Sequence, residues 1–204
     1  MSSTYSTKFL GLVIDNSLSW HCHIDQIIPK LSKASYVIRS LKPLLSSELL
    51  KITYFSTVHS IISYGIIFWG VSTHSKIIFK IQKGKIRKIM NSGNKNSCRD
   101  LFRKLNILPL QSQYIFSVLK FVVKNKEFFK TNSDVQRFNT RSHYNLHIPA
   151  TNLAIFQKAV WYSGINIYNH LPPTLKQLSY DKSKLKADLK GFHFTNTFYT
   201  LEEH

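Results

Sequence analysis

The chain has 204 residues, of which 43% are hydrophobic and 13% aromatic, a composition that supplies a core and excludes intrinsic disorder. Lysine and arginine total 28 against ten acidic residues, and the formal net charge of +18 favours a polyanionic partner, either nucleic acid or an anionic membrane surface. So few carboxylates disfavour catalysis that needs several of them to bind metal ions.

The N-terminal part of the sequence predicts a strand followed by a helix. Residues 9–14 form an apolar run that Gly11 interrupts, which is typical of a short strand or hairpin, and a polar turn follows. Residues 20–45 then carry apolar side chains at three- and four-residue steps, which predicts a helix. Pro29 lies inside this segment, and because proline removes a helix hydrogen bond, we expect a kink or a break there.

A second helix is predicted to begin at Ser46, because a serine followed by an acid in the first turn is typical of a helix start. Apolar residues line one face of this helix and surround it near Trp69, so we expect its end to be buried. The later predicted helices cover residues 75–91, 97–105, 111–129, 155–170 and 183–192.

Together these elements predict a mainly α fold, a bundle of about six helices with a short N-terminal β-strand or hairpin. Residues 131–152 are polar and lack periodicity, which predicts an extended loop or connection. We therefore divide the chain into a strand segment at 1–19, a basic helical bundle at 20–130, this connection, and a helical region at 153–204.

Basic residues are concentrated between positions 76 and 104, where ten of them accompany a single acid, Asp100. Four recur at steps of four, three and four residues and lie along one helix face for about 16 Å, here called the basic stripe: Lys76, Lys80, Lys83 and Arg87. Neighbouring like charges destabilise a helix, so the stripe suggests a partner that neutralises them, such as successive phosphates. The other six are Lys85, Lys88, Lys95, Arg99, Arg103 and Lys104.

Three interpretations of the basic stripe stay open: it binds nucleic acid, it is a solvated face without a partner, or it meets an anionic membrane. The nucleic-acid interpretation is favoured over the membrane, because we expect the apolar face of the same helix to pack against neighbouring helices. The longest apolar run, residues 61–71, is also only about half as long as a membrane-spanning helix.

Residues that suggest a metal or catalytic site are poorly arranged for one. His21, Cys22 and His23 are adjacent, so on a helix they point in different directions, and no second pair at zinc-ligand spacing exists. A cysteine nucleophile would need an orienting group that nothing in the sequence marks. Asp15 is better explained as a capping residue than as a magnesium ligand. We therefore predict no metal, no cofactor and no catalytic residue.

The cysteine content bears on the cellular location. Cys22 and Cys98 cannot form a disulfide framework and are typical of reduced thiols. The first residues lack the charged and apolar regions of a signal peptide. We expect an intracellular protein of the nucleus or cytoplasm that is not secreted.

Several segments, in order, resemble the reverse transcriptases of non-LTR retrotransposons, in particular the jockey-like elements of animals. Residues 8–15 (KFLGLVID), with Leu18-Ser19-Trp20 and His23-Ile24, are similar to the segment that follows the polymerase palm and leads into the thumb. The segments that resemble the region downstream of the thumb are residues 97–115, 138–149, 156–178 and 185–204. The likeness extends over nearly the whole chain from Lys8 onward.

This resemblance implies a thumb, which is a helical bundle that holds the template-primer duplex by its backbone, and a post-thumb region. It also implies that Leu10 and Gly11 lie at the primer grip. RNA, DNA and an RNA–DNA hybrid are alternatives for the bound duplex. Together with the charge pattern, it predicts phosphate contacts first at Lys76, Lys80, Lys83, Arg87 and Lys88, and second at Lys85, Arg99, Arg103 and Lys104.

The palm of these polymerases holds magnesium with aspartates that include an adjacent pair, and this sequence contains no Asp-Asp pair. We therefore expect the C-terminal part of a polymerase, without the catalytic palm and not an enzyme by itself. The alternative is a non-functional remnant or a protein-interaction module with inherited basic charge. The surface that faces the palm in the family, around Phe9, Leu12 and Ile14, is expected to be exposed and to support self-association.

Overall fold

The structure, a computed structural model, describes residues 5–93, 97–135, 142–177 and 182–204. Within these ranges the chain is mainly helical and begins with a two-stranded antiparallel hairpin, which confirms the predicted fold class. No helix in these ranges is both long and apolar enough to cross a membrane. Lys95 and residues 136–141 of the predicted connection lie outside the described residues.

The N-terminal hairpin pairs β1 (Ser6–Phe9) with β2 (Leu12–Asp15), and Phe9 lies opposite Leu12. Leu10 and Gly11 connect the two strands with φ values of 46° and 78°. Positive φ at both central residues is the requirement of the type I′ turn, whose twist matches that of the paired strands. The Gly11 interruption in the apolar run therefore marks a hairpin turn.

The first long helix, α1 (His21–Leu41), continues through Pro29 without a break, so the predicted split is wrong. Pro29 is exposed, and its ring therefore faces solvent rather than a packed neighbour. The predicted capping role of Asp15 is wrong, because the N-cap of α1 is Trp20 and no side chain caps this helix. The Asp15 carboxylate instead holds the preceding turn, where it accepts hydrogen bonds from the backbone N–H groups of Ser19 (2.8 Å) and Trp20 (2.7 Å). Burial raises the pKa of Asp15, but hydrogen bonds from Ser17, Ser19 and Trp20 outweigh burial and lower the pKa below its usual value.

The second predicted helix begins where expected, and α2 (Ser47–Tyr54) follows Ser46, whose hydroxyl accepts a hydrogen bond from the Leu49 N–H at 3.5 Å. It is not one continuous α-helix. A π-helical turn at Phe55–His59 leads into α3 (Ser60–Ser63), and the chain then breaks at Tyr64 and Gly65 before α4 (Ile66–Trp69). The sequence does not predict this break, because the segment is apolar throughout and its hydrophobic periodicity does not change at Tyr64 and Gly65.

Gly65 is required at this break. Its φ is 60°, and an added Cβ would lie 2.7 Å from Cδ2 of Leu12. Replacing Gly65 by Ala is expected to lower the free energy of unfolding by about 2 kcal/mol, because the left-handed backbone becomes strained and Leu12 must move. Urea unfolding measures this change.

Gly191→Ala is the matched control for this substitution, because Gly191 has open space around it and lies in the helix formed by Lys182–Asn196. Alanine there is expected to stabilise the chain by about 0.5–1 kcal/mol through its higher helix propensity. A Gly65→Ala variant as stable as the wild type would contradict the strained backbone at the break.

Six of the helices in the described residues have eight or more residues, in agreement with the predicted number. The predicted connection at 131–152 is not wholly extended, because it contains a short helix and an antiparallel bridge between Thr131 and Leu146. The helices that follow α4 are α5 (Ser75–Ile89), α6 (Arg99–Leu105), α7 (Leu110–Lys124), α8 (Asn132–Val135), α9 (Ala154–Gln157), α10 (Val160–Asn169), α11 (Pro173–Gln177) and α12 (Lys182–Asn196).

The central helix of the core is α7, in which nine of 15 residues are buried. It packs against α4, α5, α10 and α12, so the C-terminal helices share one hydrophobic cluster with the basic helical region. α5 packs against α1 on one side and against α6 and α7 on others. The remaining side of α5 faces solvent, and the basic stripe lies there.

β2 packs against α1, so part of the apolar surface that was predicted to be exposed near the N-terminus is covered. Leu12 is buried in the core, so its prediction as a surface residue is wrong. Ile14 is partly buried, and Phe9 remains exposed together with Leu10 at the hairpin tip. The apolar surface available for self-association is therefore smaller than predicted and is centred on the tip.

Candidate nucleic-acid interface

The orientation of α5 about its own axis is fixed by a buried amide. Gln82 donates hydrogen bonds to the hydroxyl of Tyr54 (2.9 Å) and the carbonyl of Leu108 (3.0 Å), and its Oε1 accepts one from the Leu110 N–H (2.9 Å). Buried polar groups of this kind are costly unless they are paired, so the three bonds favour one orientation of the helix. The basic stripe is thereby held on the opposite, solvent-facing side.

The N-terminal half of the basic stripe is fully accessible. Lys76 and Lys80 are exposed, one helical turn apart. In the described part of the chain, ion pairs join His21 to Asp25, Arg99 to Glu203 and Arg103 to Asp100, and none of them includes a lysine of α5. Lys76 and Lys80 therefore present uncompensated positive charge to solvent.

The C-terminal half of the basic stripe lies beside an aromatic group. The Nζ of Lys83 lies 4.7 Å from the ring centroid of Phe79 and 5.8 Å from that of Tyr199. Arg87 is partly buried and lies close enough to Tyr199 to lower the pKa of its hydroxyl, although burial and the nearby Cys98 together raise that pKa to about 12. Lys83 and Arg87 are thus less exposed than Lys76 and Lys80.

Lys85 does not lie with the exposed cations. Its side chain is 1% exposed, and its Nζ has no hydrogen-bond partner among the described residues. Burial, together with the charge of Lys88, lowers the pKa of Lys85 to about 8. Lys85, a second-choice phosphate contact, is therefore not among the solvent-exposed cations of α5.

Arg99 and Arg103 hold the C-terminal segment against α6. Arg99 forms an ion pair with Glu203 at 2.6 Å and covers the ring of Tyr199 at 4.7 Å. Arg103 donates hydrogen bonds to the hydroxyl of Thr197 and to the carbonyl of Thr195, both at 2.8 Å. These contacts span about half the sequence and give both arginines a structural role, which the local charge pattern does not reveal.

The remaining basic candidates are accessible. Lys88 is exposed on α5 and lies at the edge that faces α1, while Lys104 is exposed near the end of α6. The exposed candidates that form no ion pair within the described chain are thus Lys76, Lys80, Lys88 and Lys104, with Lys83 partly covered. They lie on two consecutive helices, so the positive surface is wider than the single stripe that periodicity predicts.

Leu10 and Gly11, the primer-grip candidates, form the tip of the hairpin. The backbone carbonyl of Leu10 accepts a hydrogen bond from the hydroxyl of Tyr64, which ties the tip to the break between α3 and α4. Leu10 is 73% exposed. A rigid, exposed turn can approach a ligand backbone closely, and its assignment to a primer grip stays a prediction.

Sequence reasoning missed the contribution of α1 to the basic surface. Ser32, Ser35 and Arg39 line a groove between α1 and α5, on the same side as Lys85 and Lys88. The sequence does contain one indication of this groove, because Lys85 lies among the apolar positions of α5, where a lysine is unexpected. The residues of α1 that lie near Lys85 could not be identified from the sequence, because only the packing of α1 on α5 brings them together.

The histidine and cysteine residues near the start of α1 do not converge. His21 contacts Asp25 at 3.1 Å on the exposed side, and Cys22 is exposed. His23 is buried, and its Nδ1 accepts a hydrogen bond from the Val13 N–H at 3.4 Å. No group of three or more His, Cys, Asp or Glu side chains that could hold a metal ion occurs in the described part of the chain.

No protein-family model matches this sequence, and neither a curated protein nor a solved structure is significantly similar to it. The function is therefore inferred from the chain itself. The structural feature that bears on it is the placement of its positive charges on α5 and α6.

Proposed function

We propose that this chain binds the sugar–phosphate backbone of a nucleic-acid duplex through the exposed basic side chains of α5 and α6. The observation that carries the proposal is the exposure of Lys76, Lys80 and Lys88 on one helix that carries no acidic residue. Uncompensated like charges along a helix repel one another, and successive phosphates relieve that repulsion. Contacts of this kind position a protein on a duplex without reading its sequence.

The resemblance to non-LTR reverse transcriptases indicates the purpose of this binding, which is to hold a template-primer duplex. In that proposal the helices α1 to α7 correspond to a thumb, the hairpin tip to a primer grip, and α9 to α12 to a post-thumb region. The chain lacks an Asp-Asp pair, so it grips a template-primer without polymerising nucleotides. Such a protein works in the nucleus or cytoplasm, where it meets RNA, DNA or their hybrid.

The first test is fluorescence anisotropy with a labelled RNA–DNA hybrid over about 50–300 mM salt, where the log–log slope reports the number of neutralised phosphates. We expect a slope of several units for the wild type. Converting Lys76 and Lys80 to Glu is expected to reduce the slope by about two units and to weaken binding at least about 30-fold at low salt.

Lys120 and Lys124 provide the matched control, because both are exposed and also lie four residues apart, on α7. The double Glu variant there changes the net charge equally, and we expect it to retain most of the slope. Circular dichroism establishes that each variant is folded. Equal losses in both variants would mean a diffuse charge effect, and no binding of the wild type at the lowest salt would favour a remnant or a protein-interaction module.

A further inference from the structure

A groove of about 360 Å³ lies where α1 and α5 pack together, beside the basic stripe. Its walls carry small residues at facing positions, Ser32 and Ser35 on α1 and Gly84 on α5. A Cβ added at Gly84 would meet no atom within 4 Å, so the space beside it is open. Because these side chains are small, they leave space between the facing surfaces of the two helices.

Three cations line this α1–α5 groove: Lys85, Lys88 and Arg39. Lys88 and Arg39 are exposed at its mouth, whereas the ammonium of Lys85 is buried without a hydrogen-bond partner in the described chain. No carboxylate is among the described residues that line the groove. A buried cation without a counter-charge costs several kcal/mol by general estimates, and a bound anion would offset that cost.

We propose that the α1–α5 groove binds one phosphate group, with Lys85 as its deepest ligand and Lys88 and Arg39 at the mouth. The flexible stem of Lys85 allows its three N–H donors to turn toward the anion, and the guanidinium of Arg39 suits two phosphate oxygens at once. The hydroxyl of Ser35, which has no hydrogen-bond partner within the described chain, adds a neutral donor. The hydroxyl of Ser32 already donates to the carbonyl of Ile28 at 3.0 Å.

Two sources supply this chemistry, a free phosphate or phosphate monoester and a phosphodiester of a nucleic-acid backbone. The site itself depends only on the groove. Its occupation by a backbone phosphate rests on the proposed function. In that case the phosphate in the groove would be an additional contact to the duplex, beside the exposed lysines of the basic stripe.

The first experiment uses inorganic phosphate alone. Thermal unfolding of the whole chain is followed in sodium phosphate and in sodium chloride of equal ionic strength, and isothermal titration gives the dissociation constant. We expect phosphate to raise Tm saturably in the wild type, as a ligand that binds only the folded state does. Lys85→Met is expected to weaken phosphate binding at least about tenfold, whereas Lys120→Met, which removes an exposed charge from α7, is expected to leave it unchanged.

Substitutions at the mouth keep the test independent of the buried position. Arg39→Gln and Lys88→Gln change exposed side chains, so both variants are expected to fold, and each is expected to weaken phosphate binding by about fivefold or more. Phosphate binding that is equal in the wild type, Lys85→Met and both Gln variants would overturn the groove as a phosphate site.

The second experiment distinguishes the sources by measuring hybrid-duplex binding of Lys85→Met across salt. A log–log slope about one unit lower than that of the wild type assigns the phosphate to the backbone. An unchanged slope with Lys85-dependent binding of inorganic phosphate assigns it to a free phosphate or monoester. Phosphate binding that depends on Lys85, without any duplex binding, would support the groove as a phosphate site and overturn the proposed function. Normal duplex binding without any binding of inorganic phosphate would support the proposed function and overturn the groove as a phosphate site.

Discussion

Replacing Lys85 by Met is expected to raise the free energy of unfolding by about 1–3 kcal/mol at pH 7 in a phosphate-free buffer. The reason is that the side chain of Lys85 is 1% exposed and its Nζ has no hydrogen-bond partner among the described residues. Methionine fills nearly the same space as the lysine stem and adapts to irregular surroundings. The substitution therefore removes an unpaired charge without leaving a cavity.

The same substitution is expected to change the dependence of stability on pH. Burial and the nearby Lys88 lower the pKa of Lys85 to about 8 in the folded chain, from an ordinary value of 10.5. Between these two values the unfolded chain binds one more proton than the folded chain, so wild-type stability rises with pH by up to about 1.4 kcal/mol per unit. The Met variant is expected to lose this rise.

Urea unfolding between about pH 7.5 and 9.5 measures both effects. The range stops below pH 10 because burial holds the pKa of Tyr199 at about 12, and ionisation of this tyrosine in the unfolded chain would oppose the rise. Lys76→Met is the control and is expected to stay within about 0.5 kcal/mol of the wild type. A Lys85→Met variant that is less stable and keeps the pH rise would mean that the ammonium is already satisfied in the folded chain.

The sequence predicted those parts of the fold that local signals determine. The start of α2 follows from Ser46, and the extent of α5 follows from its apolar period, because capping and amphipathicity act within a few residues. The break at Gly65 was not predicted, because apolar residues lie on every side of the segment and there is therefore no hydrophobic periodicity whose interruption would indicate a break.

The candidate site was predicted less completely, because its geometry depends on contacts distant in sequence. Charge density and helical spacing identified α5 and ranked Lys80 above Lys85, but they did not reveal that Lys85 is buried. This burial arises from α1, which packs against one edge of α5. Likewise, Arg99 was a second-choice phosphate contact, and the local charge pattern did not reveal its ion pair with Glu203, about half the chain away, which gives it a structural role.

Acid is expected to destabilise the chain through two stacked histidines near its C-terminus, of which His193 is buried and His204 partly buried. His193 is fully buried among aromatic rings, and neither of its ring nitrogens has a hydrogen-bond partner within the described residues. The ring of His204 stacks on it at a centroid distance of 5.7 Å. Burial and the neighbouring histidine lower the pKa of His193 to about 3, and burial with the charge of His170 lowers that of His204 to about 4.

The sign of the effect follows from proton uptake. Unfolded histidines titrate near pH 6.5, whereas the folded pair stays neutral well below that value. Stability is therefore complete above about pH 6.5 and falls by about 1.4 kcal/mol per pH unit for each histidine as the pH drops. By pH 4.5 the two together are expected to cost about 3–5 kcal/mol, a large part of the stability of a typical domain.

His193→Leu tests this explanation, because it removes one titrating group and two unpaired nitrogens from the cluster. We expect the slope of unfolding free energy against pH between 6.5 and 4.5 to decrease by about 1.4 kcal/mol per unit, as measured by urea unfolding at closely spaced pH values. Phe192→Leu is the control, because Phe192 contacts the same ring at a centroid distance of 5.7 Å without titrating. Its variant is expected to lose stability equally at all pH values and to keep the wild-type slope. If His193→Leu kept that slope as well, the acid sensitivity would have to arise from other histidines, such as the buried His23 and the partly buried His59, whose pKa values burial also lowers.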